Sequence, residues 1–297
     1  IDRPLLTIPS LAIHMNREAN TNASYNAQKD MLPLLGLGQE PFDIKTLLAE
    51  ELKVAPEAVL SFDLYLTCLQ KGYVWGKNKE FISSPHLDDL QCAYTTLQGF
   101  LQGRSRRSLN VYCCFDNEEV GSRTRQGAAS TFLIDTLRRI TQAMALTEED
   151  LQRALASSLM ISADNAHAVH PNVPEKSDPT NRVYLNQGIV IKYNANQSYT
   201  SDAISAALFK ELCAEVGVKT QYFTNRSDLK GGGTLGSIST SQVSIASVDI
   251  GLAQLAMHSC NETAGVEDSE AMILAIQRFY STHRSMPQEG VLIQQAD

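Results

Sequence analysis

The chain has 297 residues, 43% of them hydrophobic and 20% charged, which is enough apolar material for one large core or for a large and a small one. A formal charge of −8 excludes a nucleic-acid role, because phosphate binding needs a concentrated Lys/Arg surface. No apolar run reaches the ~18 residues of a membrane-spanning helix; the most apolar stretch, 243–257, is interrupted by Asp249 and Gln254.

Ile1-Asp2-Arg3-Pro4 has neither an initiator Met nor the layout of a secretory signal, so the chain is expected to begin part-way through a longer protein. The six cysteines (Cys68, Cys92, Cys113, Cys114, Cys213 and Cys260) fit neither a CxxC metal site nor a disulfide framework. Reduced thiols without a signal point to the cytoplasm. Residues 1–75 read as a small, partial β-rich module. Within it, 11–15 and 59–69 are strand-like, 20–26 is a polar loop and 43–54 has helical apolar spacing.

From about residue 78 onward, apolar strands alternate with helical stretches. Strands are predicted at 109–115, 159–163, 190–193 and 245–248, and helices at 128–146, 200–216 and 269–282. That alternation predicts an α/β fold with a mixed, mainly parallel sheet flanked by helices. Ligands of such sheets bind beyond the carboxyl ends of the strands.

Several strands end in chemistry-bearing residues. The run Val111-Tyr112-Cys113-Cys114-Phe115 stops at Asp116-Asn117-Glu118-Glu119, and 159–163 stops at Asp164 with His167 and His170 behind it. Leu255-Ala256-Met257 stops at His258, and Asp88-Asp89 follows Pro85-His86-Leu87. Alone, Glu118-Glu119 reads as a solvated loop and Asp88-Asp89 as a helix N-cap. Together they supply His, Asp and Glu in the mix that hydrolytic zinc sites use. Gly231-Gly232-Gly233-Thr234-Leu235-Gly236 lacks the Lys-Ser/Thr ending of a phosphate-binding loop, and no GxSxG or HExxH motif is present.

Five stretches, in order along essentially the whole chain, resemble the aspartyl aminopeptidases, a family that also includes the vacuolar aminopeptidase of yeast. They are Ser84-Pro85-His86-Leu87-Asp88-Asp89-Leu90, Phe115-Asp116-Asn117-Glu118-Glu119-Val120-Gly121-Ser122, Ser162-Ala163-Asp164-Asn165-Ala166-His167-Ala168-Val169-His170-Pro171-Asn172, Gly232-Gly233-Thr234-Leu235-Gly236 and Gln254-Leu255-Ala256-Met257-His258-Ser259. The resemblance implies two divalent metal ions, usually zinc. Asp88 would bridge them, Glu119 and Asp164 would each bind one, and His258 would complete one side. Glu118 would act as general base on the water that the two metals activate. It also implies a cis peptide between Asp88 and Asp89.

Lys192 and Tyr199 match residues that line the pocket for an acidic substrate side chain, and Gly232, Gly233 and Thr234 form a loop whose backbone approaches the substrate. His14 matches a histidine that the smaller domain lends to a neighbouring subunit's active site. The implied partners are short peptides and further copies of the chain, as dimers that assemble into a dodecamer, with neither nucleic acid nor membrane. The division expected is a dimerisation module at 1–75 and a metallopeptidase domain at 76–297. The family's first metal-binding histidine belongs to an N-terminal segment with no counterpart here; His14, His86 and His283 lie elsewhere. The chain is therefore expected to lack that segment, one metal ligand and the first strands of the catalytic sheet. The implied activity is release of N-terminal Asp or Glu. A neutral-preferring aminopeptidase of the same family and a catalytically silent peptide-binding or assembly scaffold remain as alternatives.

Overall fold

The computed structural model describes residues 1–38, 42–285 and 292–295. It divides into two units, Ile1–Gln70 and Lys71–Asp297. No helix among the described residues is long and apolar enough to cross a membrane.

Among the described residues of the first unit, α1 (Ala27–Asp30) is one short turn and α2 (Ile44–Leu52) is the one substantial element. α2 starts where Asp43 accepts the Lys45 amide, and it stops where Lys53 takes a left-handed conformation. The β-rich character expected for this unit is corrected. Residues 13–15 form a turn, 59–69 carry no strand, and the bridge between Thr7 and Leu34 stands outside any named strand. β-branched and aromatic residues favour a strand only where a neighbour accepts its ladder of hydrogen bonds. The described residues of this unit provide no such neighbour for 11–15 or 59–69.

The second unit opens with β1 (Tyr73–Trp75), β2 (Phe81–Ser84) and the long α3 (Leu87–Gln102). α4 (Phe132–Ala143), α5 (Glu148–Ala156), β3 (Leu159–Ala163) and β4 (Ala166–His167) follow. Next come β5 (Ile189–Lys192), α6 (Ala203–Glu215), β6 (Thr220–Phe223) and the short α7 (Leu235–Thr240). β7 (Ala246–Gly251), β8 (Ala253–Leu255), β9 (Glu262–Gly265) and α8 (Val266–Tyr280) complete the core, and β10 (Thr282–Ser285) pairs with β11 (Leu292–Gln295).

Besides the two-stranded β10-β11 pair, one open sheet runs β3-β7-β5-β6 and another β1-β2-β9-β8-β4, so the fold is mixed α/β with helices flanking the sheets. Parallel ladders join β3 to β7, β5 to β6 and β4 to β8; the others are antiparallel. The short links β1–β2 and β8–β9 permit only antiparallel pairing, since a parallel crossover needs a dozen or more residues.

The main core lies between the four-stranded sheet and its helices. Ile189, Ile191, Val248 and Ile250 from the strands meet Phe209 and Leu212 of α6 and Met272 and Ile276 of α8. Each buried side chain of this size contributes about 1.5–3 kcal/mol. Strand β5 is buried at all four positions, as the unbroken Ile-Val-Ile run of a central strand requires. The strand expected at 109–115 is not formed, and Leu109 and Cys114 are exposed. The segment is apolar enough for a strand, but no described strand pairs with it. Cys114 is an exposed free thiol.

Candidate metal centre

Four segments far apart in sequence meet at one place. The first is the start of α3. His86 adopts a left-handed conformation, the Asp88–Asp89 peptide is cis, and Asp88 keeps extended dihedral angles before the regular helix begins. The second is the turn after residue 115. The Gly121 amide donates to the Glu118 carbonyl and the Ser122 amide to the Asn117 carbonyl. Gly121 sits at φ +98°, a conformation that side chains oppose. The turn projects Glu118 and Glu119 back towards α3.

The third segment follows β3, where the Asp164 amide donates to the Ile250 carbonyl of β7. Close approach is needed there: a Cβ on Gly251 would lie 2.1 Å from the Asp164 carbonyl oxygen. The fourth is the tight link from β8 to β9, where Ala256 and His258 both have positive φ.

Among the described residues, three overlapping groups bring ligand atoms within 4.8 Å of one another: Asp88 with Glu119 and His258, Asp88 with Asp89 and Asp164, and Asp89 with Glu118 and Glu119. His258 Nε2 lies 3.0 Å from Asp88 Oδ2 and 3.0 Å from Glu119 Oε2. Lys192 is buried behind the cluster, and its ammonium donates to Asp164 Oδ2 at 3.1 Å and to the Asn165 carbonyl at 2.6 Å.

Five carboxylates thus face one lysine and one histidine. The excess negative charge shows in their proton affinities. Burial, then Asp164 and Glu119, push Asp88 up to about 8. Burial, then Asp164, Asp88 and Glu118, push Asp89 up to about 11. Glu118 rises to about 7 through burial and the charges of Asp164 and Glu119, with Lys192 and His258 pulling the other way. Burial would also raise Asp164, but Lys192 and hydrogen bonds from Asp89 and Asp88 hold it below the ordinary carboxylate value.

Buried Asp88 Oδ1 and Asp89 Oδ1 have no hydrogen-bond partner. Unpaired buried carboxylate oxygens are costly unless a cation meets them. One imidazole nitrogen with several carboxylate oxygens is a donor set that suits zinc and similar divalent ions. The residues therefore fit a divalent cation.

A consequence is measurable. Asp88 retains its proton near pH 7 without metal, so a cation that ligates it must displace that proton. Zinc affinity is accordingly expected to rise with pH up to about 8. Titration calorimetry in buffers of different ionisation enthalpy reads release of about one proton at pH 7 and fewer at pH 9. Equal heats in all buffers at pH 7 contradict this reading.

The other residues singled out from the sequence lie as follows. Tyr199 is buried, with the Lys192 ammonium 5.7 Å from its ring centre and its hydroxyl accepting from Asn225 at 3.4 Å. Gly232 and Gly233 are exposed; Thr234 is buried, its amide reaching the Ser198 carbonyl at 3.4 Å. His14 is an exposed turn residue of the first unit. His167 lies on β4 beside Phe223, and His170 Nδ1 accepts the Asn172 amide in a turn.

Sequence reading missed two contributors, a group of buried amides and Glu262, and leaves Asp89 open between the cluster and a helix cap. The buried amides of Gln91, Asn165 and Gln254 form a hydrogen-bonded group behind Asp164, through Asn165 Nδ2 at 3.0 and 2.7 Å. Glu262 carries no motif-level signal.

Residues 1–280 match the family described as aminopeptidase I zinc metalloprotease (M18). The chain belongs to that family. It is 47% identical over 285 residues to a probable M18 family aminopeptidase 2 of Clostridium novyi, covering 95% of this chain and 66% of that protein. The corresponding protein of Ectopseudomonas mendocina is 41% identical over 287 residues, covering 94% and 66%. The chain thus spans just under two thirds of the length of these relatives.

Among solved structures, Ape4 in its complex with Nbr1 is similar at a TM-score of 0.85 and 34% identity, covering 94% of this chain and 58% of that one. The Saccharomyces cerevisiae mApe1 dodecamer is similar at 0.73 and 27%, covering 93% and 62%.

Proposed function

We propose that this chain is the catalytic part of an aminopeptidase that uses two zinc ions to release acidic residues from the N-termini of short peptides. The observation that carries this reading is the convergence of Asp88, Glu118, Glu119, Asp164 and His258 from four separate segments into one cluster with too little positive charge. Asp88 belongs to two of the three ligand groups, which suits a bridging ligand. Glu119 and His258 share the first of those groups, and Asp164 shares the second. When bound, paired cations polarise the scissile carbonyl and make water a stronger acid.

Glu118 stands outside the group that contains His258, half-buried and with its proton affinity near neutrality, as a general base requires. Lys192 commits its charge to Asp164 in the metal-free chain. Once Asp164 serves as a ligand, the ammonium is available to an acidic substrate side chain beside Tyr199. Gly232 and Gly233, beside Thr234 in the same loop, offer backbone amides to the peptide, and His14 serves the active site of a neighbouring copy. The residues from 76 onward form the catalytic domain and those before it a dimerisation module, with dimers assembling into a dodecamer.

One observation favours a second reading. Lys192 is buried and already paired, which suits a broad or neutral-preferring enzyme of the same family. Comparing hydrolysis of two short peptides, one beginning with Asp and one with Leu, separates them. Faster, chelator-sensitive release of Asp supports the acidic preference. Faster release of Leu keeps the reaction and removes the role given to Lys192.

A further inference from the structure

Glu262 is the first residue of β9 and is 2% exposed. The antiparallel register sets it opposite Ser84, so it stands next to the chain that leads into Asp88. It also lies just past the tight link that carries His258. Its two carboxylate oxygens serve different segments: Oε2 accepts the Asp88 amide at 3.0 Å, and Oε1 accepts the His258 amide at 2.6 Å. One buried side chain therefore joins the backbones of two residues whose side chains meet at 3.0 Å. Both of its oxygens are engaged by these backbone amides, and Glu262 belongs to none of the three ligand groups.

We infer that Glu262 is a positioning residue that sets the spacing between Asp88 and His258 for a shared metal ion without touching the ion. This rests on the metal-centre reading above. A carboxylate is the suitable acceptor because both of its oxygens accept and neither donates. A glutamine has one oxygen and one NH₂, so Glu262→Gln must leave one of the two amides facing a donor. The surroundings supply local reasons for such a brace. Ala256 and His258 hold left-handed conformations, and Asp88 departs from helical geometry. Neither ligand segment is held in place by regular secondary structure at the residue that matters. Ser83 and Thr263, one register step away, add a hydroxyl contact of 2.7 Å that ties the same two strands.

The test is zinc titration of the folded 297-residue chain, with thermal unfolding of the metal-free protein in parallel. Asp268 supplies a matched control: it too is buried and accepts two backbone amides, those of Asn186 and Gly188 at 2.7 and 2.9 Å, and it belongs to none of the ligand groups. Glu262→Gln is expected to lower zinc affinity about 10–100-fold, as loss of an outer partner of a metal ligand typically does. Asp268→Asn is expected to lower the unfolding temperature while leaving zinc affinity unchanged.

If both variants weaken zinc binding equally, Glu262 acts only through general stability and the inference fails. Zinc binding in Glu262→Gln equal to that of the unaltered chain also overturns it. Glu119→Gln separates this inference from the reading beneath it: unchanged zinc affinity there removes the metal centre itself. Should Glu262→Gln not fold, Glu262→Asp replaces it, since it keeps the charge but is one methylene too short to span both amides. Loss of the fold in both makes Glu262 a folding residue and rejects the positioning role.

Discussion

Glu118→Gln is expected to lower peptide turnover about 10²–10⁴-fold, the usual contribution of a positioned general base. The amide keeps the size of the side chain but cannot take up a proton. Glu119 forms a ligand group with Asp88 and His258, whereas Glu118 is grouped only with Asp89 and Glu119. The substitution should therefore leave zinc content largely unchanged. Turnover and metal content measured on the same preparation check both halves. Equal activity removes Glu118 from the mechanism. Loss of metal together with activity reassigns it as a ligand.

Lys192→Met is expected to destabilise the metal-free chain by about 3–5 kcal/mol, because breaking a buried pair leaves an uncompensated charge. Lys192 and Asp164 are side chains with only 3% and 13% exposure, so solvent screens the pair weakly. The lysine also supplies the Asn165 carbonyl with a donor at 2.6 Å. Adding zinc should restore part of the lost stability, since a ligand that binds only the folded state stabilises it. Urea unfolding with and without zinc measures the effect. A change below 1 kcal/mol without zinc would show that Asp164 finds another counter-charge.

The sequence made the candidate cluster legible because apolar strands have to stop somewhere, and polar residues at their ends stand out against the runs before them. That contrast marks Asp164 after β3 and His258 after β8, while their proposed role as ligands comes only from the family resemblance. The helices α6 and α8 and the strands β3 and β5 lie close to where apolar spacing put them. The segments 11–15, 59–69 and 109–115 failed for one shared reason. A strand is a relation between two segments, and strand-like residues without a paired neighbour form none.

The pairing of Lys192 with Asp164 was equally hidden, because β5 and the end of β3 are separated by β7 in the sheet and are related only by topology. Glu262 was invisible for another reason. Its work is done on backbone amides, and no residue type marks a peptide group as needing an acceptor. Asp89 was visible but ambiguous, since an aspartate at a helix start is favoured for capping alone.

The most direct test of the metal centre is diffraction from crystals of the 297-residue chain grown with zinc, with data collected at the zinc absorption edge. The account predicts anomalous density about 2.0–2.2 Å from the carboxylate of Asp88 and from Glu119 or the His258 imidazole. Strong anomalous density elsewhere, with Asp88, Glu119, Asp164 and His258 bare, would contradict it.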